Sequence, residues 1–159
     1  NLNVDRANGE SFIIDRMPEN APATAEKFKA LAEDGFYDGV VFHRVIDDFM
    51  AQGGDPTGTG MGGSGKKIKG EFLQNGFPQN TLSHTRGVVS MARSADPNSA
   101  SSQFFICYGD CTFLDGQYAA FGKVIDGMET VDNFLKTERR GPEGGTPVEE
   151  IKIKKLPVQ

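Results

Sequence analysis

Short apolar runs separated by turn residues dominate this chain, and few of them are long enough for helices. Val4-Asp5-Arg6 and Phe12-Ile13-Ile14 flank Asn8-Gly9, a dipeptide favoured in tight hairpins because both residues tolerate positive φ. They predict an opening β-hairpin. Further runs at residues 40–46, 50–52, 87–92, 103–107, 119–124 and 150–156 read as strands, which makes eight candidates in all. Two stretches carry a helical period instead. Pro22 suits a first helical turn, Ala25, Phe28, Leu31 and Ala32 follow on one face, and Gly35 is a natural stop. A second helix is expected near Asp126, with Glu129 three residues on in the manner of a capping box. Met128, Val131, Phe134 and Leu135 give it an apolar stripe, and both stripes read as core-facing. The pattern alone predicts a mainly β fold with two helices. Eight antiparallel strands closed on themselves would leave no free edge.

Composition narrows this picture. At 159 residues and 17.2 kDa the chain reads as one domain over 1–159, and a domain of that size buries roughly 70% of its unfolded surface. Twelve phenylalanines point to a Phe-rich interior, and 20 glycines to many turns. The net charge of −5 argues against a nucleic-acid-binding face, and no apolar run approaches a membrane span. Residues 94–102 are small and polar like a linker, but they fall between two strands. Cys107 and Cys111 are too few for a disulfide framework and read as free thiols in a reducing compartment, although a redox switch or half a metal site uses the same residues. A cytoplasmic location is therefore expected. The chain begins at Asn1, so a trimmed signal peptide, and with it a periplasmic or secreted location, stays open.

Some motifs imitate chemistry. Gly58-Thr59-Gly60-Met61-Gly62-Gly63 matches a dinucleotide fingerprint, yet no helical period follows to hold a pyrophosphate. Gly60 to Lys66 nearly matches a P-loop, but Lys67 stands where a magnesium-binding hydroxyl belongs. A tight glycine loop beside the site is the better reading. His43 and His84 lack metal-ligand spacing and read as hydrogen-bonded structural residues. On a regular strand His43 and Arg44 point to opposite faces.

The densest signal is Phe42-His43-Arg44-Val45-Ile46-Asp47-Asp48-Phe49-Met50-Ala51-Gln52-Gly53-Gly54-Asp55. It sets a cation, an amide and two apolar side chains around one strand–turn–strand unit, and Met50 and Gln52 share a face. Such a mixture suits a site that grips a neutral amide. Ser102-Gln103-Phe104-Phe105-Ile106 and Phe113-Leu114-Asp115-Gly116 repeat the combination of amide and aromatic residues. Gln103 and Phe105 share strand parity, which sends Phe104 toward the core. Taken singly, Arg44 reads as a partner of Asp38, Asp47 or Asp48, and the glutamines as solvated. Together and in this order, the three segments resemble the cyclophilin family of peptidyl-prolyl cis-trans isomerases, from about Asn20 to Lys155.

That resemblance implies a closed eight-stranded barrel with a helix over each end, and an isomerase needing no cofactor and no metal. It implies Arg44 as the main catalytic residue, with Gln52 orienting it. Phe49, Met50, Phe105 and Leu114 would hold the proline ring. Met91, Gln103, Phe113 and Tyr118 would complete the substrate surface, with Ala92 and Arg93 meeting the peptide largely through their main chain. The implied partners are proline-containing peptides and unfolded proteins, bound by a monomer. Three positions depart from well-known eukaryotic members: Phe113 replaces a tryptophan, Tyr118 a histidine and Arg93 an asparagine. These look bacterial, and losing the indole donor leaves only weak cyclosporin binding to be expected. Two rivals remain: a non-catalytic proline-peptide-binding module or chaperone, and a nucleotide-binding protein built on the glycine loop.

Overall fold

Strand alternation gathers the apolar positions of this chain into one phenylalanine-rich interior. The computed structural model describes residues 1–158. In chain order the elements are β1 (Leu2–Arg6), β2 (Ser11–Arg16), α1 (Pro22–Glu33), β3 (Val41–Ile46), β4 (Met50–Asp55), β5 (Val88–Met91), β6 (Phe104–Cys107), β7 (Ala120–Asp126), α2 (Met128–Asn133), β8 (Arg139–Arg140), β9 (Thr146–Pro147) and β10 (Ile153–Lys155). Eight strands form an antiparallel sheet ordered β10-β1-β2-β7-β5-β6-β4-β3. Its two outer strands meet: Phe42 N donates to Ile151 O at 2.9 Å and Ile153 N to Val40 O at 2.8 Å. The sheet is therefore a nearly closed barrel, as the strand count anticipated.

A chain of aromatic rings fills it. Phe28 of α1 packs on Phe121 and Phe104 at 4.9 and 5.1 Å between centroids, and Phe104 reaches Phe42 at 5.7 Å. Phe42 in turn meets Phe134 at 4.8 Å, just beyond α2. Each ring buries a large apolar area and adds edge contacts, so the interior is a packed core and not a channel.

Helix α1 begins with Pro22 as expected, but its end is capped from a distance. Ala21 offers no side-chain cap. The Glu71 carboxylate accepts Thr24 N and Thr24 Oγ1, both at 2.6 Å, satisfying donors that every helix start leaves free. Helix α2 corrects the sequence reading. Asp126 ends β7 instead of capping the helix, and Gly127 turns the chain at φ +80°. Only glycine fits there, since a Cβ would lie 2.6 Å from Ser11 O. Phe134 and Leu135 fall in a following 3-10 turn, and the strand expected at 150–156 shortens to β10. The β8–β9 hairpin, with no apolar alternation to announce it, was not anticipated.

Candidate active site on the outer barrel wall

Two bulges decide what β3 presents. Val41 pairs with Asp55 but Phe42 with Gly53, and Arg44 then pairs directly with Gln52. One residue of β4, Gly54, is extra at the first step, and one residue of β3, His43, at the second. Phe42 and Val45 consequently both enter the core although they are three apart, an impossible spacing in a regular strand. The same shift turns Arg44 outward to face Gln52. On unbroken alternation Arg44 would have followed Phe42 into the barrel.

Outside the wall, Phe49, Met50, Phe105, Leu114 and Tyr118 line a cavity of about 220 Å³, with Arg44, Gln52, Ala92 and Arg93 completing it. The sequence parity holds here: Phe105 faces the cavity while Phe104 is core. Tyr118 stands edge-on to Phe105 at 5.8 Å. A second, larger hollow of about 400 Å³ adjoins it across Gln52, Ala92 and Arg93, lined by Met61, Lys67, Ser99, Gln103 and the glycine loop. One expected contact needs correction. The Met91 side chain is buried in the barrel core, so it does not face the cavity. Phe113 lies on the rim, 63% exposed, with its ring 5.9 Å from Phe49.

The polar groups form one directional chain. Gln103 Nε2 donates to Gly60 O and Gly62 O, at 2.9 and 2.8 Å. Its Oε1 accepts Gln52 Nε2 at 2.9 Å, leaving Gln52 Oε1 to receive Arg44 Nη1 at 3.4 Å. The guanidinium also lies 5.8 Å from the centre of the Phe49 ring. Its other clamp comes from far away: Arg44 Nη2 donates to Glu143 Oε1 at 2.9 Å, and not to any of the nearby aspartates. The Arg93 side chain is equally pinned, donating from Nε and Nη2 to Gln117 O while stacking on Tyr118 at 4.6 Å.

The glycine loop is locked from both sides. While Gln103 takes two of its carbonyls, the buried Asp55 carboxylate accepts N–H groups of Thr57, Thr59, Gly60 and Gly62. Burial by itself would raise the Asp55 pKa; the hydrogen bonds from Gly62, Thr57 and Gly60 outweigh it and hold the group well below the usual carboxylate range. A Cβ at Gly62 would collide with that carboxylate. The N–H groups of Thr57, Thr59, Gly60 and Gly62 are thus already taken by an anion within the chain, which argues against the nucleotide-loop reading.

A buried relay supports the apolar floor. His84 Nδ1 donates to Asp115 Oδ1 at 2.8 Å, and His84 Nε2 accepts the Ser90 hydroxyl at 2.8 Å. Burial lowers the His84 pKa more than Asp115 raises it, which keeps the ring neutral. This imitates a hydrolase triad, yet Ser90 and His84 are both 0% exposed and no substrate reaches them. The imidazole instead stacks on Phe105, with 6.0 Å between centroids and 15° between planes. His84 thus has the structural, hydrogen-bonded role expected of it. His43 does not: its Nδ1 is buried with no partner among the described residues, and its ring lies against Gly60. Cys107 and Cys111 are free and buried behind Met50 and Phe105, and burial pushes both thiols up, so neither is a reactive thiolate at neutral pH. Among the described residues no group of three or more His, Cys, Asp or Glu side chains could hold a metal ion, and no helix is long and apolar enough to cross a membrane.

Sequence reasoning missed Glu143, Asp55 and Asp115 as supports of the site. Asp55 closes one quoted motif and Asp115 lies inside another, a signal that was available. Glu143 had none.

Comparison with known proteins agrees with this architecture. The family model described as cyclophilin type peptidyl-prolyl cis-trans isomerase matches residues 2–158. The rat protein named peptidyl-prolyl cis-trans isomerase-like 3 is 49% identical over 123 residues, covering 77% of this chain and 74% of its own. A peptidyl-prolyl cis-trans isomerase of Arabidopsis thaliana is 45% identical over 144 residues, covering 88% and 84%. A Cryptosporidium parvum cyclophilin type isomerase, crystallised in the presence of the dipeptide Ala-Pro, superposes with a TM-score of 0.84 at 34% identity, covering 99% of this chain and 98% of its own. These relatives are eukaryotic, so the bacterial leaning of Phe113, Tyr118 and Arg93 gains no support from them. Barrel, wall-mounted cavity and relatives converge: the chain belongs to the family of cyclophilin type peptidyl-prolyl cis-trans isomerases.

Proposed function

We propose that Arg44 and Gln52 carry the isomerisation of X-Pro bonds in unfolded or flexible polypeptides. The barrier to such rotation is about 18–20 kcal/mol, set by amide resonance, and uncatalysed exchange takes about 10–100 s. Reaching milliseconds requires about four to five decades, or roughly 5–7 kcal/mol. No bond breaks, so neither nucleophile nor cofactor is required. The twisted transition state loses resonance and leaves a more basic proline nitrogen. A site must anchor both sides of the bond and favour that form over either planar one.

The observation that carries this reading is Arg44 itself, a guanidinium fixed at the lip of an apolar cavity. Phe49, Met50, Phe105 and Leu114 supply a surface for the proline ring. Arg44 holds the neighbouring carbonyl and keeps positive charge near the developing lone pair, a preorganised arrangement that costs nothing to assemble during the reaction. Gln52 fixes its angle. Ala92 and Arg93 offer main chain between the two hollows for the residues before proline.

The rival reading, a module that binds proline peptides without accelerating them, gives no use to a guanidinium fixed beside the apolar surface. A protease-coupled assay on an Ala-Pro peptide decides between them. Acceleration by wild type and its loss in Arg44→Ala supports catalysis, whereas peptide binding without acceleration supports the module. The same assay after EDTA treatment is expected to show no change. The reading includes a cytoplasmic monomer acting on proline-containing peptides and unfolded proteins, with weak cyclosporin binding at most.

A further inference from the structure

The catalytic arginine of this chain is held by a carboxylate delivered from a separate hairpin. Strand β3 is the last strand in the order of the main sheet, and β9 of the separate β8–β9 hairpin packs against it. Both main-chain groups of Val45, the residue after Arg44, are taken by that hairpin: Val45 N donates to Gly145 O at 2.7 Å, and Arg139 Nη1 donates to Val45 O at 2.9 Å. Gly145 packs directly against the Ile46 side chain. Between β8 and β9 the tip runs Gly141-Pro142-Glu143-Gly144-Gly145, and Glu143 sits in the left-handed region at φ 59°. A non-glycine residue there is strained, in a tip whose glycines at 141 and 144 adopt positive φ without cost. The strain is tolerated where it places the Glu143 carboxylate on Arg44 Nη2, 2.9 Å away.

We propose that Glu143 is a positioning residue for Arg44, clamping the guanidinium edge opposite Gln52 so that its remaining N–H donors face the bound X-Pro carbonyl. The inference rests on the isomerase reading above. The geometry is that of a vice: Gln52 Oε1 on Nη1, Glu143 Oε1 on Nη2, and Phe49 alongside. Gln52 alone holds Arg44 at the long distance of 3.4 Å, and a single contact leaves a plane free to swing about it. The Arg44 side chain is 35% exposed, so the ion pair adds little stability; its worth is in orientation.

Kinetics in two backgrounds test this. Glu143→Gly suits the left-handed φ and preserves the hairpin while removing the clamp. Its kcat/KM for an X-Pro peptide is expected to fall about three- to tenfold, the cost of re-immobilising one long side chain. Glu143→Gln keeps an acceptor oxygen and is expected to recover most of that loss. In an Arg44→Ala background, Glu143→Gly is expected to change nothing further, because a positioning residue acts only through the group it positions. An equal loss in both backgrounds, or a faster Glu143→Gly enzyme, would overturn the proposal. Nitrogen-15 relaxation at Arg44 Nε gives a readout independent of turnover, and order there should drop in Glu143→Gly. If wild type proves inactive, the isomerase reading fails while the relaxation result still decides whether the clamp exists.

Discussion

Gln52 donates its side-chain amide to the Gln103 carbonyl oxygen at 2.9 Å, and this bond turns the Gln52 carbonyl oxygen toward Arg44. Gln103 has no freedom to turn over, because its NH₂ group is committed to the carbonyls of Gly60 and Gly62. Its oxygen must therefore face Gln52, and the Gln52 oxygen must face Arg44. The glycine loop, itself fastened by Asp55, is thereby linked to the Arg44 guanidinium through two amides.

Arg44→Ala is expected to lower kcat/KM for an X-Pro peptide by at least two decades, about 2.7 kcal/mol of transition-state stabilisation. The fold should survive, since the side chain lies outside the barrel core. Peptide kinetics beside a thermal melt check both parts, and near-normal turnover in a folded variant would remove Arg44 from the mechanism.

Gln103→Leu keeps approximate volume and deletes the relay. It leaves two loop carbonyls and the Gln52 amide without their partner, at about 1 kcal/mol each where buried. Activity is expected to fall about tenfold, with slower proteolysis of the loop lost as Gly60 and Gly62 loosen. A variant with wild-type rate would show that Gln52 finds its orientation unaided.

Stability should fall in two stages as the solution is acidified. Burial depresses the His84 pKa, so below about 6.5 the unfolded chain takes up a proton that the native ring refuses. The unfolded state then binds more protons, and stability declines as pH drops from that point toward the lowered native pKa. His43, depressed chiefly by burial as well, adds to the same stage. Asp55 and Asp115 are held low by their hydrogen bonds, so their contribution is intact above about pH 4 and is lost as pH falls further. Urea midpoints measured from pH 7 to pH 3 should show both stages, and His84→Gln should flatten the first. A midpoint constant between pH 7 and pH 5 would contradict the assignment of a neutral His84.

Phe113→Trp is expected to tighten cyclosporin binding while leaving peptide isomerisation within about twofold. The ring is 63% exposed on the rim, so an indole fits without displacing core. The added N–H donor is worth about 0.5–1.5 kcal/mol, up to roughly tenfold in affinity. The chain has no other tryptophan, and fluorescence titration reports the binding directly. Equal or weaker affinity would shift the determinant to Tyr118 or to the loop itself.

The sequence by itself determined a good deal of this protein. Alternation is local, so the shared face of Met50 and Gln52, the opposite faces of Phe104 and Phe105, and the apolar stripe of α1 were legible in spacing alone. The three quoted motifs carried the family, and the barrel came with it. What lay beyond reach was decided by register and by distance along the chain. The outward turn of Arg44 depends on a bulge at His43 that no residue pattern announces, because a bulge is a property of two paired strands. Met91 was misplaced for a related reason: the strand carrying it sends Met91 inward and leaves only neighbouring main chain at the groove. The helix start at Asp126 was overruled when β7 claimed that residue for the sheet, where ladder hydrogen bonds outweigh a side-chain cap. Glu143 meets Arg44 across 99 residues of sequence, and only the closing of the barrel against its last hairpin brings the two charges together.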